Sequence, residues 1–180
     1  YPKDTENKYT HYSGNGGIQL DSLLKRIIYA VKLKDIKLLI SQNIHNESKL
    51  MYDRNIHAIP RIITPFVTYD TDPYIVINSK GGLTWMLDGY TTSSYYPYAT
   101  PYGRRVNYIR NSVLSTIDAY TGEATFYIKD ASDPIINAYA AIYPDLFKPM
   151  SELPDDLKQH IRYPKDLFKV VTNIYNTFHM

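Results

Sequence analysis

Residues 74–90 read YIVINSKGGLTWMLDGY, and this stretch decides the fold. Two runs of β-forming residues, at 74–78 and 83–90, flank a Ser-Lys-Gly-Gly turn, which predicts a β-hairpin. Further along, residues 106–120 and 124–129 flank Thr-Gly-Glu and predict a second hairpin. We expect both hairpins to join one antiparallel sheet. The candidate core positions of the second hairpin are Tyr108, Val113, Ile117, Phe126 and Ile128.

Apolar residues recur at helical spacing on both sides of the hairpins. Asp133 followed by Pro134 is typical of a helix N-terminus, and Pro60 must kink or divide the helix expected over residues 47–64. The predicted helices begin near Leu20, Asp35, Glu47, Pro134, Ser151 and Leu167. Because helices and strands are segregated, we expect an α+β fold. Its antiparallel sheet of two hairpins is flanked by N-terminal and C-terminal helices, which cover one face.

The composition excludes several classes of protein. With 44% hydrophobic and 21% charged residues, the 180-residue chain is expected to fold rather than stay disordered. A net charge of +2 is too small for a general nucleic-acid binder, and no apolar run reaches the ~18–20 residues of a membrane span. The absence of cysteine excludes disulfides and cysteine-ligated zinc within these residues. We expect no metal and no cofactor.

Tyrosine is the most unusual feature of the composition, with 19 Tyr against 5 Phe and 1 Trp. Tyrosine gives rigid, half-polar contact surface at low entropic cost, which suits carbohydrate and peptide grooves. The predicted ligand-binding residues are Tyr90, Tyr95, Tyr96, Tyr98, Tyr102, Arg104 and Arg105. The alternative is that these tyrosines fold over the sheet as a structural lid.

Two aspartates are candidates for catalysis. Asp88 and Asp118 each end a predicted strand near aromatic residues, where a carboxyl with a raised pKa can act as a general acid. A cell-envelope hydrolase that uses Asp88 or Asp118 is therefore the alternative function, although aspartate also caps such turns. Asp70 and Asp72, together with Asp88, carry oxygen ligands that suit a hard cation, but the twelve-residue calcium-loop pattern is absent.

The first helical region is basic. Its five basic residues are Lys25, Arg26, Lys32, Lys34 and Lys37. Beside an apolar stripe, this charge fits either a helix that lies on a membrane surface or an ordinary solvated face.

Several ordered strings span nearly the whole chain. They are YSGNGG at 12–17, DGYTTS at 88–93 with YYPY at 95–98, NYIRNSV at 107–113, LFKP at 146–149, and RYPKDLFKV at 162–170. By these strings the chain resembles uncharacterised protein family 0182. This resemblance implies a bacterial multi-pass membrane protein with a large extracytoplasmic region. A weaker likeness, of IDAYTGE at 117–123 to the hairpin of PepSY domains, implies only that this segment lies in a sheet.

The resemblance implies a location rather than an activity. Residues 1–180 would form a single extracytoplasmic domain, or a fragment of a larger membrane protein, held at the cell membrane by segments outside this chain. The rest of that protein would be its partner, and a peptide, an envelope glycan or a neighbouring domain its ligand. No activity is established for the family, so the resemblance assigns no catalytic residue.

Overall fold

The computed structural model describes residues 2–3, 6–7, 12–103 and 105–178. The chain divides into two compact units, an N-terminal unit of Tyr1–Tyr52 and a C-terminal unit of Asp53–Met180. The two units are described in turn.

Short strands and two helices make up the N-terminal unit. Its strands are β1 (Pro2–Lys3), β2 (Glu6–Asn7), β3 (Ile18–Gln19) and β4 (Lys49–Leu50), with β1 pairing β2 and β3 pairing β4. Its helices are α1 (Leu23–Leu33) and α2 (Lys37–Ile40), which confirms the first two predicted helices. Helix α1 begins because the Ser22 hydroxyl accepts a hydrogen bond from the backbone N–H of Lys25 at 3.3 Å.

The helix predicted over residues 47–64 is wrong in extent. Lys49–Leu50 forms a strand, and the only helix in this stretch of the described chain is α3 (Ala58–Ile63). Asp53 has a positive φ of 54°, which a helix cannot contain. Pro60 lies in the first turn of α3, where its missing N–H breaks no hydrogen bond.

A six-stranded sheet organises the C-terminal unit. Its strands are β5 (Thr68–Tyr69), β6 (Tyr74–Ile77), β7 (Leu83–Ser93), β8 (Tyr108–Asp118), β9 (Ala124–Ile128) and β10 (Phe147–Pro149). The order is β10-β9-β8-β7-β5, and β6 also pairs with β7. The pairs β6–β7, β7–β8 and β8–β9 are all antiparallel, which confirms the two hairpins and their single sheet. The sheet is not purely antiparallel, because β10 returns after a helix and joins β9 in parallel.

Both faces of this sheet are buried, so the expectation of helices on one face is wrong. Adjacent residues such as Met86 and Leu87, or Val113 and Leu114, are all at most 1% exposed. Successive strand residues point to opposite faces. One face therefore packs Leu87, Val113 and Phe126 against Ile136, and the other packs Met86, Leu114 and Tyr127 against Leu153 and Leu157.

Helix α4 (Pro134–Ile142) lies between β9 and β10, and the last two helices follow β10. Helix α4 begins as predicted, with the carboxylate of Asp133 accepting from the N–H of Ile135 at 3.0 Å. The helix predicted from Ser151 is a 3₁₀ turn at Met150–Glu152 followed by α5 (Asp155–Lys158), because Pro154 interrupts it. The last predicted helix is confirmed as α6 (Lys165–Phe178).

A β-bulge shapes the paired strands β7 and β8. The register shifts between Gly89, which pairs with Val113, and Tyr90, which pairs with Asn111. Ser112 is thus the extra residue, and the bulge turns it toward the same layer as Val113. The Ser112 hydroxyl donates to the carboxylate of Asp133 at 2.5 Å, while Val113 packs in the same cluster as Ile136.

Candidate binding site

The connection between β7 and β8 carries four of the five tyrosines predicted to bind ligand. We refer to residues 94–107 as the tyrosine loop. Tyr95 is 92% exposed and Tyr98 is fully exposed, while Tyr96 and Tyr102 are 54% and 38% exposed. These four side chains present aromatic surface to solvent, so they do not form a buried lid.

The side chain of Asn107 holds the backbone of the tyrosine loop through hydrogen bonds. Its Oδ1 accepts from the N–H of Tyr96 at 3.0 Å, and its Nδ2 donates to the carbonyl of Tyr96 at 2.8 Å and of Ala99 at 3.3 Å. Farther along, the N–H of Tyr102 donates to the carbonyl of Val106 at 2.7 Å. The loop backbone is therefore held by its own residues while the tyrosine side chains stay outside.

Backbone conformation adds to this rigidity. Tyr98 has a φ of 59°, in the left-handed region that non-glycine residues rarely adopt. Pro97 and Pro101, on either side, restrict the chain further. Residues held in such conformations cost about 1–3 kcal/mol each and cluster at functional sites.

An aromatic contact joins the tyrosine loop to the buried part of the sheet. The ring of Tyr96 stacks on Tyr108 with centroids 5.4 Å apart, and the Tyr108 hydroxyl donates to Asp133 at 2.7 Å. Asp133 also accepts from Thr91 and Ser112, each at 2.5 Å. Burial raises the pKa of Asp133, but its hydrogen-bond donors outweigh that effect and hold the pKa below the ordinary 3.8.

Beside the loop lies a groove of about 470 Å³ that runs along α6. Tyr102 connects the two walls, because its hydroxyl accepts from Asn173 Nδ2 at 3.0 Å. The lining combines hydroxyl, amide and apolar groups, including those of Thr100, Ile174 and Thr177. The groove and the exposed tyrosines together form a surface with both stacking and hydrogen-bonding groups.

The remaining predicted binding residues are placed differently. Tyr90 is 2% exposed and donates its hydroxyl hydrogen bond to Asp70, so it lies inside the fold and away from the loop surface. Burial, then the hydrogen bond to Asp70, raises its pKa. Arg105 is an exposed residue of the tyrosine loop, and Arg104 lies outside the described residues.

Asp88 is a structural carboxylate. It is 3% exposed, and its Oδ1 accepts from Lys129 Nζ at 2.6 Å and from Asn111 Nδ2 at 3.0 Å. A buried charge needs such partners, since leaving it unpaired is strongly destabilising. The geometry gives Asp88 no exposed position from which to protonate a substrate.

Asp118 caps the turn of the second hairpin. Its Oδ1 accepts from the backbone N–H groups of Tyr120 at 2.9 Å and Thr121 at 2.6 Å. The Thr121 N–H in particular holds the pKa of Asp118 below the ordinary 3.8, the opposite of what a general acid requires. In the sheet register Asp118 stands opposite Thr84, four residues along β7 from Asp88, or about 14 Å at the usual rise. The two carboxylates do not share a site.

The aspartates considered for a cation are engaged by protein donors. Asp70 accepts from the N–H of Asp72 at 2.9 Å and, through Oδ2, from the N–H of Asp166 at 2.9 Å. Asp166 in turn accepts from the N–H of Thr71 at 2.8 Å, and Asp72 pairs with Arg162 at 3.0 Å. Within the described residues, no three His, Cys, Asp or Glu side chains gather in a way that could hold a metal ion.

Two residues important to this surface were not predicted. Asn107 is the last residue of the tyrosine loop, and side-chain amides commonly satisfy loop backbone groups in this way, so a local signal existed. Asn173 lies 71 residues from Tyr102, and nothing local in the sequence relates them.

Comparisons with known proteins assign a family. The model of "Uncharacterised protein family (UPF0182)" matches residues 1–180. A "UPF0182 protein" of Desulforamulus reducens is 49% identical over 182 residues, covering 100% of this chain and 19% of the relative. Those of Pelotomaculum thermopropionicum and Alkaliphilus metalliredigens are 47% and 50% identical, covering 20% and 19% of their own lengths. No solved structure matches.

The comparisons leave most of each relative uncovered. The chain spans about a fifth of the length of these curated relatives. Among the described helices, none has the length and apolar character needed to cross a membrane. The likeness of residues 117–123 to a PepSY hairpin stays a prediction.

Proposed function

Since the chain belongs to the uncharacterised protein family UPF0182, we propose that it is a ligand-binding domain of a longer membrane protein, on the outer side of the membrane, and that the tyrosine loop is its binding surface. The ligand we propose is an acidic glycan of the cell envelope. The observation that carries the proposal is the display of Tyr95 and Tyr98, which are almost completely exposed on a loop that Asn107 fastens.

The chemistry of the surface supports this ligand. The flat faces of Tyr95 and Tyr98 provide stacking area for sugar rings, and their rigid side chains lose little entropy on binding. Arg105 is exposed in the same loop, and a guanidinium binds carboxylates through paired hydrogen bonds. The amide of Asn173 and the hydroxyl of Thr177 lie in the adjoining groove, where sugar hydroxyls can pair with them.

The rigidity of the loop supports the same proposal. A surface that is ordered before the ligand arrives loses less free energy on binding. The hydrogen bonds of Asn107 and the prolines at 97 and 101 provide that order without covering the tyrosine rings.

Binding is tested by co-sedimentation of the purified chain with insoluble cell-wall glycan. We expect the wild-type chain to sediment with the glycan and the Tyr95→Ala/Tyr98→Ala double variant to lose most of this binding. Tyr163→Ala is the matched control, because Tyr163 is also an exposed tyrosine, at 59%, but lies just before α6. Asn107→Ala, which keeps every tyrosine, should also weaken binding by releasing the loop.

Competition then identifies the class of ligand. Soluble glycan fragments should displace the chain, and peptides of random sequence should not. Displacement by peptides alone, or equal binding by the double variant and the control, would contradict the proposal. For the location, a protease-sensitive tag in this domain of the full-length protein should be cut in intact protoplasts; protection until lysis would contradict it.

A further inference from the structure

Helix α1 exposes its apolar side. Five large apolar residues form what we term the α1 apolar face, and each is between 41% and 74% exposed. They are Leu23, Leu24, Ile27, Ile28 and Val31. At 100° per residue these positions span one contiguous stripe of the helix surface.

The opposite side of α1 faces the rest of its own unit. Arg26 Nε donates to the carbonyl of Leu20 at 3.2 Å, and the ring centroids of Tyr29 and Tyr52 lie 5.8 Å apart. Ala30 is buried on this side. An ordinary surface helix places its apolar stripe inward, whereas the stripe of α1 faces outward.

The N-terminal unit also has too small a core to stand alone. Within its described residues, the buried apolar side chains are those of Leu20 and Ala30. A chain of this length needs more buried apolar area, or another kind of support, to fold. Exposed apolar patches of this kind mark interaction surfaces.

We infer that the α1 apolar face docks against another segment of the same longer polypeptide, outside residues 1–180. This inference rests on the proposed function only in taking the chain as part of a longer protein. Its support is that the curated relatives are about five times longer than the chain, so each carries a large covalently attached surface that is absent here. An attached partner meets the helix at high effective concentration.

The charges of α1 favour a protein partner over a lipid surface. Lys25 pairs with Asp21 at 2.8 Å, and Arg26 Nη2 donates to the Asn46 side chain at 3.2 Å. Lys32 lies over tyrosine rings. Three of the five basic residues of this region thus have partners within the unit, whereas a helix on an anionic membrane would leave its cations free to meet lipid headgroups.

Photo-crosslinking in the full-length protein tests the inference. A benzophenone amino acid replaces Val31, which is 74% exposed, and the same probe at the exposed polar residue Glu47 is the matched control. We expect the probe at Val31 to crosslink within the same polypeptide, to a peptide outside residues 1–180, and the probe at Glu47 to give no such product. Crosslinks from Val31 to lipid, to another protein or to residues 53–180 would overturn the inference.

Spin labelling gives a second measurement that does not depend on crosslinking yield. Leu24→Cys and Val31→Cys are made as separate variants in a cysteine-free background, and each cysteine is labelled with a nitroxide. Each labelled variant is measured in the isolated chain and in the full-length protein in liposomes. We expect both labels to be reached by a water-soluble nickel chelate in the isolated chain and to lose access to both nickel and oxygen in the full-length protein. Retained nickel access, access to oxygen alone, or protection already in the isolated chain would overturn the inference.

A separate measurement tests the premise that the chain is part of a longer protein. Immunoblotting of native cells shows the size of the product, and a band at 20.9 kDa would remove the premise of a longer protein. The glycan assay uses the isolated chain and the tyrosine loop, so its result does not depend on α1.

Discussion

Lys129 Nζ lies 2.6 Å from Asp88 Oδ1, in a layer where the Asp88 side chain is only 3% exposed. The two residues are 41 positions apart and belong to different hairpins. Their ion pair therefore joins β7 to the end of β9 across the intervening strand β8.

We expect Lys129→Met to reduce the free energy of unfolding by about 3–5 kcal/mol, because it leaves the buried carboxylate of Asp88 without its cation. Urea unfolding measures the change. The control is Lys148→Met on β10, where the lysine is exposed and the expected change is within about 0.5 kcal/mol. Equal stability of the two variants would show that Asp88 does not need its partner.

The pH dependence of stability should depend on Asp133, whose pKa in the fold is below the ordinary 3.8. The unfolded chain then binds more protons than the folded chain as the pH falls, so the free energy of unfolding drops from about pH 5 downward. Asp133→Asn removes this contribution, so the free energy of unfolding of the variant should fall less steeply below about pH 5. Melts between pH 7 and pH 3 test this, and parallel curves for the two proteins would contradict it.

Single alanine substitutions in the tyrosine loop should separate exposed from supported side chains. For Tyr95→Ala and Tyr98→Ala we expect losses well under ~1 kcal/mol, as at other exposed positions. Tyr96→Ala should cost about 0.5–1.5 kcal/mol, because it removes the stack on Tyr108. Thermal melts measure all three. Losses of roughly 3–5 kcal/mol at Tyr95 and Tyr98, as for core aromatics, would restore the lid interpretation.

The attachment of α6 should depend on Asp166, which accepts from Thr71 while its own N–H donates to Asp70. Asp166→Ala should cost about 1–3 kcal/mol and speed amide hydrogen exchange across α6, with little change in β8. Asp166→Asn keeps an acceptor oxygen and should have the smaller effect. Uniform exchange changes over the whole unit would indicate global destabilisation instead.

The elements that the sequence predicts correctly are those with local signals. The hairpins were predictable because each pairs β-forming residues around a glycine turn, and α4 because Asp133 and Pro134 are a strong start signal. Strands β5 and β10 have two and three residues and pair only through distant partners, so nothing in their own sequence marks them. Consecutive apolar pairs such as Met86-Leu87 are typical of a strand that is buried on both faces.

For the candidate site, exposure was harder to predict than location. Tyr95 and Tyr98 stand on the loop as expected, but Tyr90 still belongs to β7 and points into a buried layer. Composition cannot separate these two outcomes, because a buried tyrosine needs only a partner for its hydroxyl. For Tyr90 that partner is Asp70, 20 residues away, and the sequence between them does not reveal the contact.

The hydrogen bonds that join Asp166 to Asp70 and Thr71 also set an order of events during synthesis. Residue 166 leaves the ribosome 96 residues after residue 70, so the Asp70 carboxylate lacks its donor from α6 until those residues have been made. Contacts with such sequence separation are slow to form because a long loop must close first. A product that terminates before residue 166 keeps both hairpins yet leaves the Asp70 carboxylate without this donor. Completion of the C-terminal unit is therefore an event at the end of its own synthesis.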